Sequence, residues 1–235
     1  MRRPLLVVLA GLLLSPALAG QDAKAVVAEA SKAMGVTKLE SITLAGTAAY
    51  GNFGQSRTLS FGLASTTIRN YNLTIDFVRG ISHAMGDAAP PGAPNGVPPG
   101  RFDDLITGTS PGIRQLEIWT TPWGFLRGAA AASDLKLSTQ KVDGINYRLV
   151  EWKTSFGSSS GRPYRIVGYI SPAGLVDKVE TWIDHPLMGD LQVMFTYTGY
   201  TDAAGVKVPV KVALDYIKME AVSYTHLTLP TKALV

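Results

Sequence analysis

Residues 191–216 read LQVMFTYTGYTDAAGVKVPVKVALDY. In the first part Leu191, Val193, Phe195 and Tyr197 alternate with Gln192, Thr196 and Thr198; in the second Val206, Val208, Val210, Val212, Leu214 and Tyr216 alternate with Lys207, Pro209, Lys211 and Asp215. Successive side chains on a strand point to opposite faces, so a period of two gathers the apolar groups on one side. Both stretches are therefore strands with one buried face. Asp202-Ala203-Ala204-Gly205 between them is a turn signal, and the chain is expected to double back there.

Working outward, the same punctuation recurs. Ser171-Pro172-Ala173-Gly174 precedes the apolar run Leu175 to Ile183, and Asp143-Gly144 precedes Ile145 to Trp152. A meander of antiparallel hairpins follows from this spacing. Earlier strands are expected at Ser41 to Tyr50, Arg57 to Leu63, Thr67 to Val78 and Arg114 to Trp119. Asp22 to Met34 changes the period to 3.6, with Ala23, Val26, Val27, Ala30 and Ala33 as an apolar stripe and Gly35 as the stop. Thr121-Pro122 offers a cap followed by proline at the first helical position, so a second short helix is expected through Trp123, Phe125, Leu126 and Ala129 to Ala132. The fold class is α+β: a curved antiparallel β-sheet, half-barrel-like, with both helices on one face. Ala88 to Gly100, carrying five prolines and three glycines, reads as a solvated Pro/Gly-rich loop at 88–100.

Arg2 and Arg3, the apolar stretch Leu5 to Leu14 and the small residues Ala17 and Ala19 have the pattern of an export signal over 1–19. The apolar stretch is shorter than the roughly 18 to 20 residues that a spanning helix needs, so no membrane span is expected after cleavage and the product is expected to be periplasmic or secreted. The chain has no cysteine, which excludes disulfides and thiolate metal sites. Without Arg2, Arg3 and Lys232, the 22 basic side chains exceed the 18 acidic ones by one. A balance so close to neutral gives nucleic-acid binding no electrostatic support.

Several constellations invite a chemical reading and fail it on context. Gly157-Ser158-Ser159-Ser160-Gly161 matches G-x-S-x-G, yet a proline and a strand follow where a nucleophile elbow requires a helix. Asp184, His185 and Asp190 lie close together in sequence, but one histidine and two carboxylates in a turn fall short of a transition-metal site. His83 has no ligand-bearing companion at i+2. Asp103-Asp104 would point to opposite faces of a strand and is expected to be a helix cap or solvated loop. Trp119, Trp123, Trp152 and Trp182 are expected in the core, with an apolar ligand cleft as the alternative. No catalytic, cofactor-binding or metal residue is assigned. Residues 222–231 break the preceding alternation and reproduce, codon by codon, a translated sequencing-library adapter; 222–235 is therefore expected to be a non-native tail and 20–221 a single β-rich domain.

On Asp22 to Gly35, Tyr71 to Phe77, Thr121 to Leu126, Val179 to Asp184 with Gly189-Asp190, and Tyr197 to Tyr200 with Gly205-Val206-Lys207, the span from about Gln21 to Lys218 resembles the amino-terminal region of exported bacterial proteins whose carboxy-terminal half is a metallo-β-lactamase-fold hydrolase. The resemblance implies a non-catalytic accessory domain. Zinc would then belong to a missing carboxy-terminal catalytic domain with an H-x-H-x-D-H motif, absent here, and that domain would be the partner of this one. The order of helix and meander is also similar to the half-barrel of periplasmic lipoprotein carriers, which implies the alternative of a stand-alone binding module for an apolar or acyl ligand.

Cleavage after Ala19 is expected to give a mature chain starting at Gly20 or Gln21, and intact-mass measurement of the exported product checks it. Retention of Met1 contradicts the assignment.

Overall fold

The computed structural model describes residues 16–51, 65–89, 100–185, 189–217 and 227–228. Helix α1 (Pro16–Ala33) leads into strands β1 (Ser41–Gly51), β2 (Ser65–Asp76), β3 (Ile81–Ala89) and β4 (Gly100–Ile106). Helices α2 (Gly112–Trp119) and α3 (Pro122–Ala131) follow, and then β5 (Lys136–Val142), β6 (Ile145–Gly157), β7 (Pro163–Ile170), β8 (Val176–His185) and β9 (Gly189–Thr198). The chain continues through β10 (Thr201–Ala203), β11 (Val206–Val208), β12 (Lys211–Ile217) and β13 (Leu227–Thr228). Eleven strands form one curved, open antiparallel sheet in the order β4-β3-β2-β1-β13-β12-β9-β8-β7-β6-β5, and β10 with β11 makes a separate ribbon.

The α+β half-barrel architecture is as expected from the alternation, and its helices share the concave face. Ala23, Val27 and Ala30 of α1, Leu116 and Ile118 of α2, and Trp123, Phe125 and Leu126 of α3 all join one core with Ile42, Ile75, Val150, Ile166 and Val179 of the sheet. Thr121 caps α3 as its sequence predicts, its Oγ1 accepting the Gly124 N–H at 3.0 Å.

Other expectations need correction. α1 begins at Pro16, inside the expected signal, and not at Asp22. Ala23, Val26, Val27 and Ala30 of this helix are buried. Arg114 to Trp119, expected as a strand, belongs to α2: Leu116 and Ile118 fit a period of two in so short a run, but the amides of Arg114 and Gln115 both bond back to the Pro111 carbonyl and close a helical turn. The alternating run from Val206 is broken into β11 and β12, and Pro209, which has no N–H to donate, stands at the break. Strands β3, which carries His83, and β4 stand on the two sides of the Pro/Gly-rich segment without having been given bounds, β5 is a further strand, and β3 takes in Ala88 and Ala89 and β4 Gly100 from the loop expected at 88–100. The expected strand Arg57 to Leu63 lies outside the described residues, as does most of the loop at 88–100. Of the expected tail at 222–235 only β13 is described, and it lies between β1 and β12, with Thr228 opposite Thr47 and Lys211.

Two close approaches seat the helices. A side chain at position 168 would meet the Phe125 ring at 2.2 Å, and one at position 128 would meet the Trp152 indole at 2.2 Å. Gly128→Ala should gain about 1 kcal/mol of helix propensity. Overpacking against a rigid indole costs about 1–3 kcal/mol, which outweighs that gain. The variant is expected to be less stable in urea unfolding; a gain would contradict the packing.

Candidate functional site

Register decides which side chains face the helices. Val150, Gly168, Val179, Phe195 and Leu214 form one row across β6 to β12, and Trp152, Ile166, Thr181, Val193 and Tyr216 form the next. On β1 to β4 the matching rows are Ile42, Ile75, Ser82 and Ile106, and then Leu44, Leu73, Ala84 and Asp104. Further along come Tyr71 opposite Gly46 and Phe102 opposite Gly86. All of these lie on the concave face.

The concave face is filled unevenly. Val150, Ile166 and Val179 are fully buried beneath α1 and α3. By contrast Tyr71, Leu73, Phe102, Phe195, Leu214 and Tyr216 remain only half-buried although they share the same face. A trough with aromatic and aliphatic walls is thus left between β1–β4 on one side and β9 and β12 on the other. Short residues, Gly46, Ala48, Ala84 and Gly86, occupy neighbouring concave positions; Ala48 and Ala84 are buried there, and Ile68 lies over Gly86. The Tyr71 and Phe102 rings meet at 6.4 Å and 41° to form one wall.

A compact polar group projects from α2 toward this trough. Arg114 Nη2 donates to Asp104 Oδ2, and Arg114 Nε lies 2.7 Å from Glu117 Oε1. One guanidinium therefore balances two carboxylates. Enclosure by protein raises the Glu117 carboxyl above its ordinary range; Arg114 pulls it back and Asp104 adds to the rise. Yet its side chain is 53% exposed, so the carboxylate is hemmed in but still open to water. Burial raises the phenols of Tyr71 and Tyr216 as well, and the negative charge of Glu117 adds to both. Tyr71 and Tyr216, on opposite sides of the trough, thus both lie within electrostatic reach of this one side chain.

The residues singled out in the sequence are dispersed. Asp103 and Asp104 lie on β4, not in a cap or loop, and point to opposite faces: Asp104 to Arg114, Asp103 to His83 Nε2 at 2.7 Å and Arg101 at 2.6 Å. Ser159 donates from its hydroxyl and its backbone to Asp184 at 2.6 and 2.9 Å, while Ser158 and Ser160 share a hydrogen bond of 2.8 Å. Asp184 also accepts from Tyr164 at 2.7 Å, and Asp190 is its cross-strand partner on β9. Among the described residues no three His, Asp or Glu side chains converge on a metal position. Trp123 and Trp152 are core, but Trp119 is half-buried and Trp182 lies on the convex face under Arg165, at 4.2 Å. Sequence reading missed Tyr71, Arg114, Glu117 and Tyr216. The reading of α2 as a strand hid the Arg114–Glu117 spacing of i,i+3, which only a helix brings together.

A second recess, of about 580 Å³, opens between α1 and α3 beside Lys24, Val27, Ser31, Leu126, Arg127 and Ala130. Exposed alanines and lysine form much of its rim, and Arg127 is already spent on the Leu39 carbonyl at 2.5 Å and the Phe77 ring at 5.8 Å. The trough is the better candidate because its aromatic walls offer a ligand more apolar area.

No family model and no curated protein matches the chain. Among solved structures it is similar to a DUF1329 family protein from Desulfovibrio piger, with a TM-score of 0.48 and 13% identity over 89% of this chain and 91% of that one. It is also similar to a LolA superfamily protein from Nitrosomonas europaea, with a TM-score of 0.43 and 13% identity over 91% and 93%. These are likenesses of fold. They correct the resemblance drawn from sequence: the folds found are of the DUF1329 and LolA kinds, not the amino-terminal region of a metallo-β-lactamase-fold hydrolase. The accessory-domain reading, its catalytic partner and its zinc are withdrawn with it. The segments that carried it are structural, Thr121 to Leu126 being the capped start of α3 and Val179 to Asp184 part of β8.

The hydrogen bonds from the Ser159 hydroxyl, Tyr164 and the Ser159 amide lower Asp184 to about 2. The folded protein then binds fewer protons there than the unfolded chain, so this stabilisation is present above the unfolded value near 4 and is lost as pH falls through about 2. Asp184→Asn is expected to lower stability at pH 7 by about 1 kcal/mol after solvent screening, and to flatten the loss between pH 4 and 2. Thermal melts of both forms across that range check it; parallel curves would refute it.

Proposed function

We propose that the domain spanning 20–221 is an exported, periplasmic binding module, and that the trough takes an apolar or acyl ligand. One observation carries this reading: six large concave-facing side chains, Tyr71, Leu73, Phe102, Phe195, Leu214 and Tyr216, are left half-buried on a face whose β6–β8 part is buried under α1 and α3. Apolar surface held open on a curved face is unfavourable by about 25 cal/mol per Å² relative to burial, so a ligand that covers it is held by that difference. No helix among the described residues is long and apolar enough to cross a membrane.

The test uses a neutral apolar dye, 1-N-phenylnaphthylamine, whose fluorescence rises in an apolar cleft. Saturable binding at micromolar concentration is expected for the full chain. Leu214→Glu puts a charge on the concave wall at a half-buried position, and should weaken the dye about tenfold or more while leaving the melting transition intact. Dye binding that is absent, or unchanged by Leu214→Glu, would defeat the proposal.

A further inference from the structure

Arg114, Asp104 and Glu117 stand where the trough opens, and their charges do not cancel. Arg114 is the single cation paired with both carboxylates among the described residues, so the group carries one surplus negative charge when all three are ionised. The surplus is unevenly placed. Asp104 accepts from Nη2 and is the less exposed carboxylate, at 30%, whereas Glu117, 2.7 Å from Nε, has 53% of its side chain open to water. Glu117 is therefore the carboxylate that an incoming group can reach.

The surroundings of Glu117 then set what it would accept. Arg114 faces it from its own helix, Asp104 from β4, Tyr71 from β2 and Tyr216 from β12. Tyr71 and Tyr216 stay protonated at neutral pH because burial raises both phenols, so they add polar edges but no charge. Half of the Glu117 side chain remains open to solvent, so a ligand head can reach it without displacing protein.

We infer that the trough selects apolar ligands with a cationic, amine-bearing head, seated against Glu117, over ligands with an anionic head. This rests on the trough being the ligand site. A carboxylate or phosphate head would be repelled by the surplus negative charge, whereas an ammonium head would complete the charge balance. The selection requires Glu117 to be ionised. It should therefore fade as pH falls through the raised titration of that carboxyl, with Asp104 still holding Arg114.

Displacement of bound 1-N-phenylnaphthylamine separates this inference from the reading beneath it. Dodecylamine and dodecanoate, both below micelle-forming concentration at pH 8 and low salt, should differ by about tenfold in the concentration that displaces half the dye, the amine being stronger. Glu117→Gln and, independently, Asp104→Asn each remove one negative charge and should bring the ratio near one. The ratio is informative even if a variant weakens both ligands together. Added salt should narrow the gap in the wild type. Equal or stronger displacement by dodecanoate, no displacement by either probe from dye-loaded protein, or an unchanged ratio in both variants would overturn the inference. Failure of the dye to bind wild-type protein would instead overturn the trough as an apolar site.

Discussion

Phe125 can lie against β7 only because position 168 carries no side chain, and Trp152 can lie against α3 only because position 128 carries none. The helix and the sheet thus each present a large ring to a gap in the other. This interlock fixes α3 over the β6–β8 end of the concave face, and two long-range hydrogen bonds lock it there. The Trp123 indole donates to the Lys207 carbonyl at 3.0 Å, and the buried Tyr197 hydroxyl donates to the Thr120 carbonyl at 2.5 Å. Such bonds matter less for their net stabilisation, about 1 kcal/mol each, than for the cost of leaving a buried partner unpaired. With α3 held at one end of the sheet, the concave face at the other end buries Ile42, Ile75 and Ile106 but leaves Tyr71, Leu73 and Phe102 half-buried.

The position of α2 follows from the same constraint. Only two residues, Thr120 and Thr121, separate it from α3, and the Thr120 hydroxyl bonds back to the Leu116 carbonyl at 2.8 Å. Trp119 meets Trp152 edge to face at 6.3 Å and ties the end of α2 to the filled part of the core. Its outer side, with Arg114 and Glu117, is turned toward β4. The Arg114–Asp104 pair fastens that side to the strand. A helix anchored at one end by rings and at its flank by an ion pair makes a partial roof, which is why the side chains beneath it are half-buried and not sealed.

How much of this was legible in the sequence depended on how strongly each element repeats its pattern. Strands β6 to β9 and β12 have large apolar groups on one face and turn signals at their ends, and their alternation was plain. β4, with Asp103 and Asp104 between Phe102 and Leu105, and β5, with Leu137 and Val142 among polar residues, occupy the two edges of the sheet. An edge strand is stabilised by one neighbour's backbone and needs fewer apolar groups, so composition says little about it. β3, the strand of His83, has no legible bounds for a different reason. Its concave positions carry Ser82, Ala84 and Gly86, short residues that give a weak hydrophobic period.

The site was less legible than the fold because its parts are far apart in the chain and individually ordinary. Tyr71 and Phe102 look like core aromatics, Tyr216 like one more apolar position on β12, and Arg114 with Glu117 like surface charges. Only the curvature of the sheet brings them together, and only the helical i,i+3 spacing sets Glu117 beside Arg114. The short residues that weaken the pattern of β3 lie under their neighbours: Ser82 and Ala84 are buried, and Ile68 reaches over Gly86. At Gly86 an added Cβ would lie 2.5 Å from Ile68 Cγ2 and 2.8 Å from the Arg69 carbonyl, so the backbone itself is packed too tightly there to accept one. Weak patterning in β3 thus follows from close packing: the position without a side chain is the one that Ile68 of the adjacent strand fills, and a larger residue there would have made the strand plainer and the pairing worse.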